Sequence, residues 1–355
     1  MQKAHLAILA IGIVAAPLAH AASQRTFVST LGANNPNCFI NTPCRDFTAA
    51  MAATSPSGEI VVLDSGGYGS VSIAQSVSII APPGVYAGIS VFAGTGITVA
   101  AGLTGNVTLR GLTINGQGGS NGIVVTSGAE VNIEQCVVSN MTADGIRIDG
   151  GARVFLRSTQ VRGNGQHGLN IAAGAPEVRV IDAQFARNGV YGIRAAAGSI
   201  DAERIAADQN GSNGVRAQPA TAVAVTVTLA DSAFTGNGKT GVVGIPDLAG
   251  ASTRVAIVRS TSARNSGGGY GTRTFNLGTA FLTVSNSAAV ENIGNGVIAS
   301  DTNATVIVAG STIARNTGPD FDQSGGAVLL TSANNTLSGR GVPDISGAAS
   351  PNPLK

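Results

Sequence analysis

An asparagine returns along this chain at a spacing that few folds accept. Asn140, Asn164, Asn188, Asn210, Asn237, Asn265, Asn292 and Asn316 follow one another at intervals of 22 to 28 residues, within the range of solenoid repeats. Six of the eight are followed by a Gly leading an apolar residue: Gly145-Ile146, Gly168-Leu169, Gly192-Ile193, Gly214-Val215, Gly241-Val242 and Gly296-Val297, with Gly122-Ile123 one repeat earlier. Upstream stand apolar pairs spaced by two: Val154/Leu156, Val178/Val180, Val227/Leu229, Val255/Ile257, Leu282/Val284 and Val306/Val308. Ile200/Ala202 fits with smaller residues, and Val131/Ile133 fits after a one-residue slip. A spacing of two puts both side chains on one side of a strand.

Three residues before the Asn lies another apolar site, Val137, Val161, Phe185, Phe234 and Ile313, weakening to Ala207, Ser262 and Ala289. Each repeat therefore supplies three short strands and three turns, and none can bury its apolar side chains alone. Coiling and stacking put each Val and Ile against its counterpart one rung away, about 4.8 Å along the axis. The Asn positions then form a ladder of amides bonding one another and the turn backbone. The Gly suits a sharp turn needing positive φ, and Gly271-Thr272, after "NSGGGYG", reads as a longer loop. A leucine-rich horseshoe fails because its signature and any helical period are missing.

Composition agrees with one long coil. Gly is abundant at 49 residues, charged residues make up 11%, and Trp is absent. A net charge of +2 without a basic run excludes a nucleic-acid track. Residues 1–21 read as a secretory signal peptide: Lys3 starts it, Leu6 to Ala16 form the apolar stretch, and Ala19-His20-Ala21 precedes the cut. No later stretch is long and apolar enough to span a bilayer. The mature protein is expected to be secreted or periplasmic. In that oxidising setting Cys38 and Cys44 are expected to form a local disulfide, contributing roughly 2 kcal/mol in the chain-entropy picture, and Cys136 is left as a buried thiol.

Residues 22–59 read as an N-terminal cap. Thr42 is the expected N-cap with Pro43 opening a short helix, and Phe47, Ala50 and Met51 share one face. The helix would close the open end of the coil, which otherwise presents bare strand edges. The coil proper is expected over 60–339, starting near Ile60, and residues 340–355 form a patternless, loose tail.

The repeat resembles the right-handed parallel β-helix of the pectin-lyase-like superfold, whose members are secreted bacterial proteins. The segment "TFVSTLGANNPNCFINTPCRDFTAAMAATSPSGEIVVLDSGGYGSVSI" resembles the opening cap of bacterial β-helix repeat proteins that mostly lack an assigned activity. The resemblance spans Thr26 to about Gly339 and implies an all-β fold with three strands per rung. One fold hosts many activities, so it does not choose among them.

Most charges have a structural reading. Glu130, Arg153 and Glu177 alternate in sign on successive rungs, as do Arg264, Glu291 and Arg315; Glu134/Arg157 and Arg179/Asp201 are further pairs. One column departs from this: Asp144, His167 and Tyr191 precede the turn Gly on consecutive rungs, and Arg147, Asn170, Arg194 and Arg216 follow it. An Arg strip suits carboxylates, and an Asp-His-Tyr trio could move protons. The plainer alternative is a set of exposed turn residues.

In β-helix polysaccharide enzymes the substrate groove lies along such a strand face, as the resemblance implies. The Arg-x-Pro-x-x-Arg run of pectate lyases, the paired Asp of polygalacturonases and the calcium nonapeptide are missing from the sequence. The expectation is a secreted protein binding a polysaccharide or cell-surface glycan, uronate-containing, without catalysis, cofactor or metal. A polysaccharide lyase or uronate epimerase using His167 or Tyr191 as acid/base, and a structural adhesin-type element, stay open beside it.

Overall fold

The computed structural model describes residues 22–275, 277–339 and 343–352; the signal segment expected over 1–21 lies outside them. The described residues wind into a coil of three parallel sheets, with fourteen strands in the first and twelve in each of the others. Each rung contributes one strand to each sheet in turn. In one rung these are Arg153–Arg157, Gln160–Arg162 and Leu169–Ile171, before the chain returns to the first sheet at Glu177–Ile181.

The paired apolar residues sit where their spacing put them. Val131, Val154, Val178, Ile200, Val227, Val255, Leu282 and Val306 stand in register along the first sheet, all buried in one continuous core. This vertical burial is the main source of stability, because each rung's apolar face meets only its two neighbours.

Two corners give the coil its shape. Between the first and second sheets a left-handed residue recurs: Ser158, Asp182, Arg204, Asp231, Arg259 and Asn286 have φ between 46° and 54°. Behind several of these runs a serine ladder that sequence reasoning missed. Ser232, Ser260 and Ser287 each donate their backbone N–H to the next rung's Ser Oγ, at 3.1, 3.1 and 3.2 Å, while each hydroxyl donates to a carbonyl two residues back.

The second corner carries the asparagine ladder. Nδ2 of Asn164, Asn188, Asn210, Asn237, Asn265 and Asn292 donates to Oδ1 of the Asn one rung on, at 2.9–3.0 Å. Asn140 is not a member. It takes the left-handed position (φ 61°) held on later rungs by Gly163, Arg187 and Gln209, and buried Met141 stands at the ladder position, donating its N–H to Oδ1 of Asn164. By the same shift Val138, not Val137, packs inward on Val161.

The turn glycines also differ from expectation. Gly168 and Gly192 do not have positive φ; a Cβ on either would stand 2.6 Å from the carbonyl oxygen of the next rung's Gly. Close backbone approach demands them. The segment read as a loop around Gly271 is strand, with Gly269-Tyr270 in the repeat positions: Tyr270 pairs with Val242, and its ring is fully buried.

At the N-terminal end the sheet begins earlier than Ile60. Strand Ser23–Val28 pairs in parallel with Thr54–Val62 and forms the outermost strand. The Cys38–Cys44 bridge closes the intervening loop. The helix spans Phe47–Ala53 and is capped by Asp46, which accepts from the N–H of Ala49 at 2.8 Å, not by Thr42. Thr42 is held in the disulfide loop by a hydrogen bond to Phe39 O, so Pro43 opens no helix. Phe47, Ala50 and Ala53 face the core, with Met51 only half-buried.

The expected loose tail is partly strand. Ile345–Ser346 adds to the third sheet and Ala349–Pro351 to the first, because two or three residues suffice to extend a ladder that is already formed.

Candidate functional site

Register stacks the proposed columns on the third sheet. Arg147, Asn170, Arg194 and Arg216 are successive partners, each between two inward-facing residues such as Ile146 and Ile148. They therefore point outward. Beside them, at the entrance to the same strands, come Asp144, His167 and Tyr191. Gly145 N–H donates to His167 O and Gly168 N–H to Tyr191 O, which locks the three into one line.

Their chemistry is not that of a trio. Asp144 is 1% exposed. One carboxylate oxygen accepts from the backbone N–H of His167 at 3.2 Å and the other from Asn170 Nδ2 at 2.7 Å, with the Arg147 guanidinium 3.6 Å away. Both oxygens are thus committed to holding the ladder. The His167 ring, in a residue 8% exposed, stacks on Tyr191 at 4.8 Å with the planes 11° apart. Its Nδ1 is buried without a hydrogen-bond partner. Among the described residues no direct side-chain hydrogen bond joins Asp144, the imidazole and the phenol.

Burial lowers the pKa of His167, opposed by the charge of Asp144 and aided by Arg194 and Arg147. The imidazole is therefore held neutral, which suits a flat stack on a phenol.

The cations divide into two kinds. Nε of Arg147 donates to both carboxylate oxygens of Asp149, at 3.0 and 2.9 Å. It is neutralised within the fold. Arg194 donates to Asn170 Oδ1 at 3.2 Å, and Arg216 donates to Gln218 and lies 5.3 Å over the Tyr191 ring. Among the described residues neither has a carboxylate within ion-pair distance. The strip thus presents two adjacent unneutralised guanidiniums beside an aromatic stack. A cleft of about 840 Å³ lies instead at the first corner, between Gln160, Arg204 and Arg259.

The other charge columns are structural. Glu291 bridges Arg264 and Arg315 at 3.6 and 2.9 Å, and Arg179 meets Asp201 at 3.8 Å. Glu134 pairs with Arg110 rather than Arg157.

The family described as "Right handed beta helix region" matches residues 95–245, which include the whole strip. The chain is a right-handed parallel β-helix with the pectin-lyase-like fold. Pectate lyase Pel9A superimposes on this β-helix with a TM-score of 0.57 at 15% identity, covering 89% of this chain and 78% of that one. The A-module of the Azotobacter vinelandii mannuronan C-5 epimerase AlgE6 gives 0.60 at 15%, covering 84% and 91%. The Dettilon tailspike protein gp208 gives 0.53 at 14%, covering 92% and 68%. At these identities the β-helices share a fold, and the activity of each belongs to its own side chains. No curated protein matches this sequence.

Proposed function

We propose that this β-helix is an extracytoplasmic carbohydrate-binding protein that holds an acidic, uronate-containing polysaccharide along its third sheet. The observation that carries the reading is the pair Arg194 and Arg216, on adjacent rungs and without carboxylate partners, next to the stacked His167 and Tyr191. A guanidinium binds a carboxylate through two parallel hydrogen bonds, and an aromatic edge shields that contact from water. Two proteins of the same fold are named for pectate and mannuronan, both acidic polysaccharides. The internal disulfide fits an oxidising compartment, and no described helix is long and apolar enough to cross a membrane.

Binding without catalysis fits Asp144 best, since its carboxylate is spent on ladder contacts. Affinity electrophoresis in polygalacturonate tests the reading. The Arg194→Ala/Arg216→Ala variant should lose retention, Arg147→Ala should keep most of it, and undiminished retention of the double variant would end the proposal.

A second reading, a lyase or C5-epimerase, rests on the neutral state of His167 beside Arg194. Proton abstraction next to a carboxylate needs a basic group and a cation to bear the developing charge. An unsaturated product absorbing in the ultraviolet, formed on any member of a uronate panel and lost in His167→Ala, would favour it over binding alone.

A further inference from the structure

The first sheet carries a second outward face that the third-sheet strip does not explain. One column along it runs Arg153, Glu177, Ser199, Thr226, Arg254, Phe281 and Thr305 in unbroken register. The next runs Phe155, Arg179, Asp201 and Thr228. Two clefts open on this face, of about 320 Å³ and about 460 Å³, and they meet at Thr226, which lines both.

The lining has three chemical parts. Half-buried phenyl rings stand at the two ends, Phe155 in the first cleft and Phe281 in the second. Five rungs separate them, roughly 24 Å at about 4.8 Å per rung. Between them Ser199, Thr226, Thr228, Ser252 and Thr279 offer hydroxyls that make no side-chain hydrogen bond within the described chain. The charges in the first cleft largely cancel: Arg179 pairs with Asp201 and Arg153 with Glu130, at 3.8 and 3.9 Å. Arg254 in the second does not: it lies 5.2 Å over the Phe281 ring and has no ion-pair partner among the described residues.

We infer that this face is a second glycan-binding site, for a mostly neutral polysaccharide carrying sparse acidic substituents. Phenyl faces meet the apolar face of a pyranose ring, the free hydroxyls exchange hydrogen bonds with sugar hydroxyls, and one pyranose unit advances a chain by about as much as one rung. The single free guanidinium takes one acidic group, from a carboxylate or a sulfate, while the cancelled charges elsewhere give a polymer charged at every unit nothing to gain. A protein partner fits less well, since a stable protein interface has a core depleted of charge, and here ion pairs occupy it.

Affinity electrophoresis of the full chain tests this with dextran and β-glucan, each unsubstituted, sparsely carboxymethylated and sparsely sulfated. At least one substituted polymer should retard the protein more than its parent does. Phe155→Ala and Phe281→Ala should each weaken that retention five-fold or more, and Arg254→Gln should erase the difference between substituted and parent polymer. Thr226→Arg, which adds bulk on the solvent side where the clefts join, should abolish retention without touching the core. Arg194→Ala/Arg216→Ala should leave it unchanged, which separates this site from the third-sheet strip. Carboxymethyl and sulfate arms tell the two acidic groups apart. No retention on any of the six polymers, or retention indifferent to Phe155, Phe281 and Thr226, overturns the inference.

Discussion

Asn237 Nδ2 donates at 2.9 Å to Oδ1 of Asn265, while its own Oδ1 accepts from both the backbone N–H and Nδ2 of Asn210 at 3.0 Å. A second bond from Nδ2 reaches Ala207 O at 2.9 Å. One amide therefore ties three rungs together, with donor and acceptor ends that cannot be exchanged.

The ladder direction makes Asn237→Asp more damaging than Asn237→Ala. Alanine leaves buried donors on Asn210 unpaired, at about 1–3 kcal/mol each. Aspartate keeps the acceptor for those donors, but its second oxygen faces Asn265 Oδ1 and Ala207 O in place of a donor, and it buries a charge, which costs more than unpaired neutral donors. Denaturant midpoints of the two variants should fall in that order.

Gly192→Ala should cost about 1–3 kcal/mol, as overpacking does in a close-packed interior. The new methyl would stand 2.6 Å from Gly214 O, and backbone cannot swing aside as a side chain can. Chemical denaturation measures it; a loss below a few tenths of a kcal/mol would show that the rungs slide apart freely.

His167 should weaken the fold in acid. Its native pKa lies below the ordinary value because burial disfavours the charged ring. As pH falls below the unfolded value of about 6.5, the unfolded chain takes up a proton that the native chain refuses. Stability then declines, by at most about 1.4 kcal/mol per pH unit for one proton, until the native ring also protonates. His167→Phe keeps an aromatic ring and should flatten the slope between pH 6.5 and 5.

Asp64 joins the cap to the coil. Burial raises its pKa, but hydrogen bonds from the Ser29 and Tyr68 hydroxyls and from Thr30 N–H outweigh that and bring it down to about 2. The contribution is whole above the ordinary carboxylate range near 4 and is lost as pH drops toward 2. Asp64→Asn should destabilise by about 1–2 kcal/mol, with amide exchange rising first in Ser23–Val28.

The core was legible because a spacing of two survives any substitution among Val, Ile and Leu. The ladder was legible except at its first rung. Asn adopts the left-handed conformation easily, so Asn140 could pass for a member while sitting one position early. The slip of Val131/Ile133 was the sign of it, since both stand in perfect register with Val154 and Leu156. The serine ladder escaped notice because Ser in a turn ordinarily reads as loop. Thr42 and Asp46 are both good caps, and only the disulfide loop decides between them. For the site, the sequence contained the columns but not the pairing: Asp149, just past the end of the Arg147 strand, claims Arg147 from two residues away, and no stacking frame weighs that contact against a ligand.

Four ladder amides, at Asn164, Asn188, Asn210 and Asn237, are each followed by Gly. In a free chain that dipeptide is the one most prone to cyclise and shed ammonia, because nothing hinders the glycine nitrogen from attacking the side-chain carbonyl. Here each of those glycine nitrogens is engaged with a carbonyl on another rung, and each amide is hydrogen-bonded to the Asn one rung on. Winding the coil thus preserves the groups that keep it wound. A molecule left open for long would convert them to aspartate and isoaspartate and lose the amide donors of the ladder.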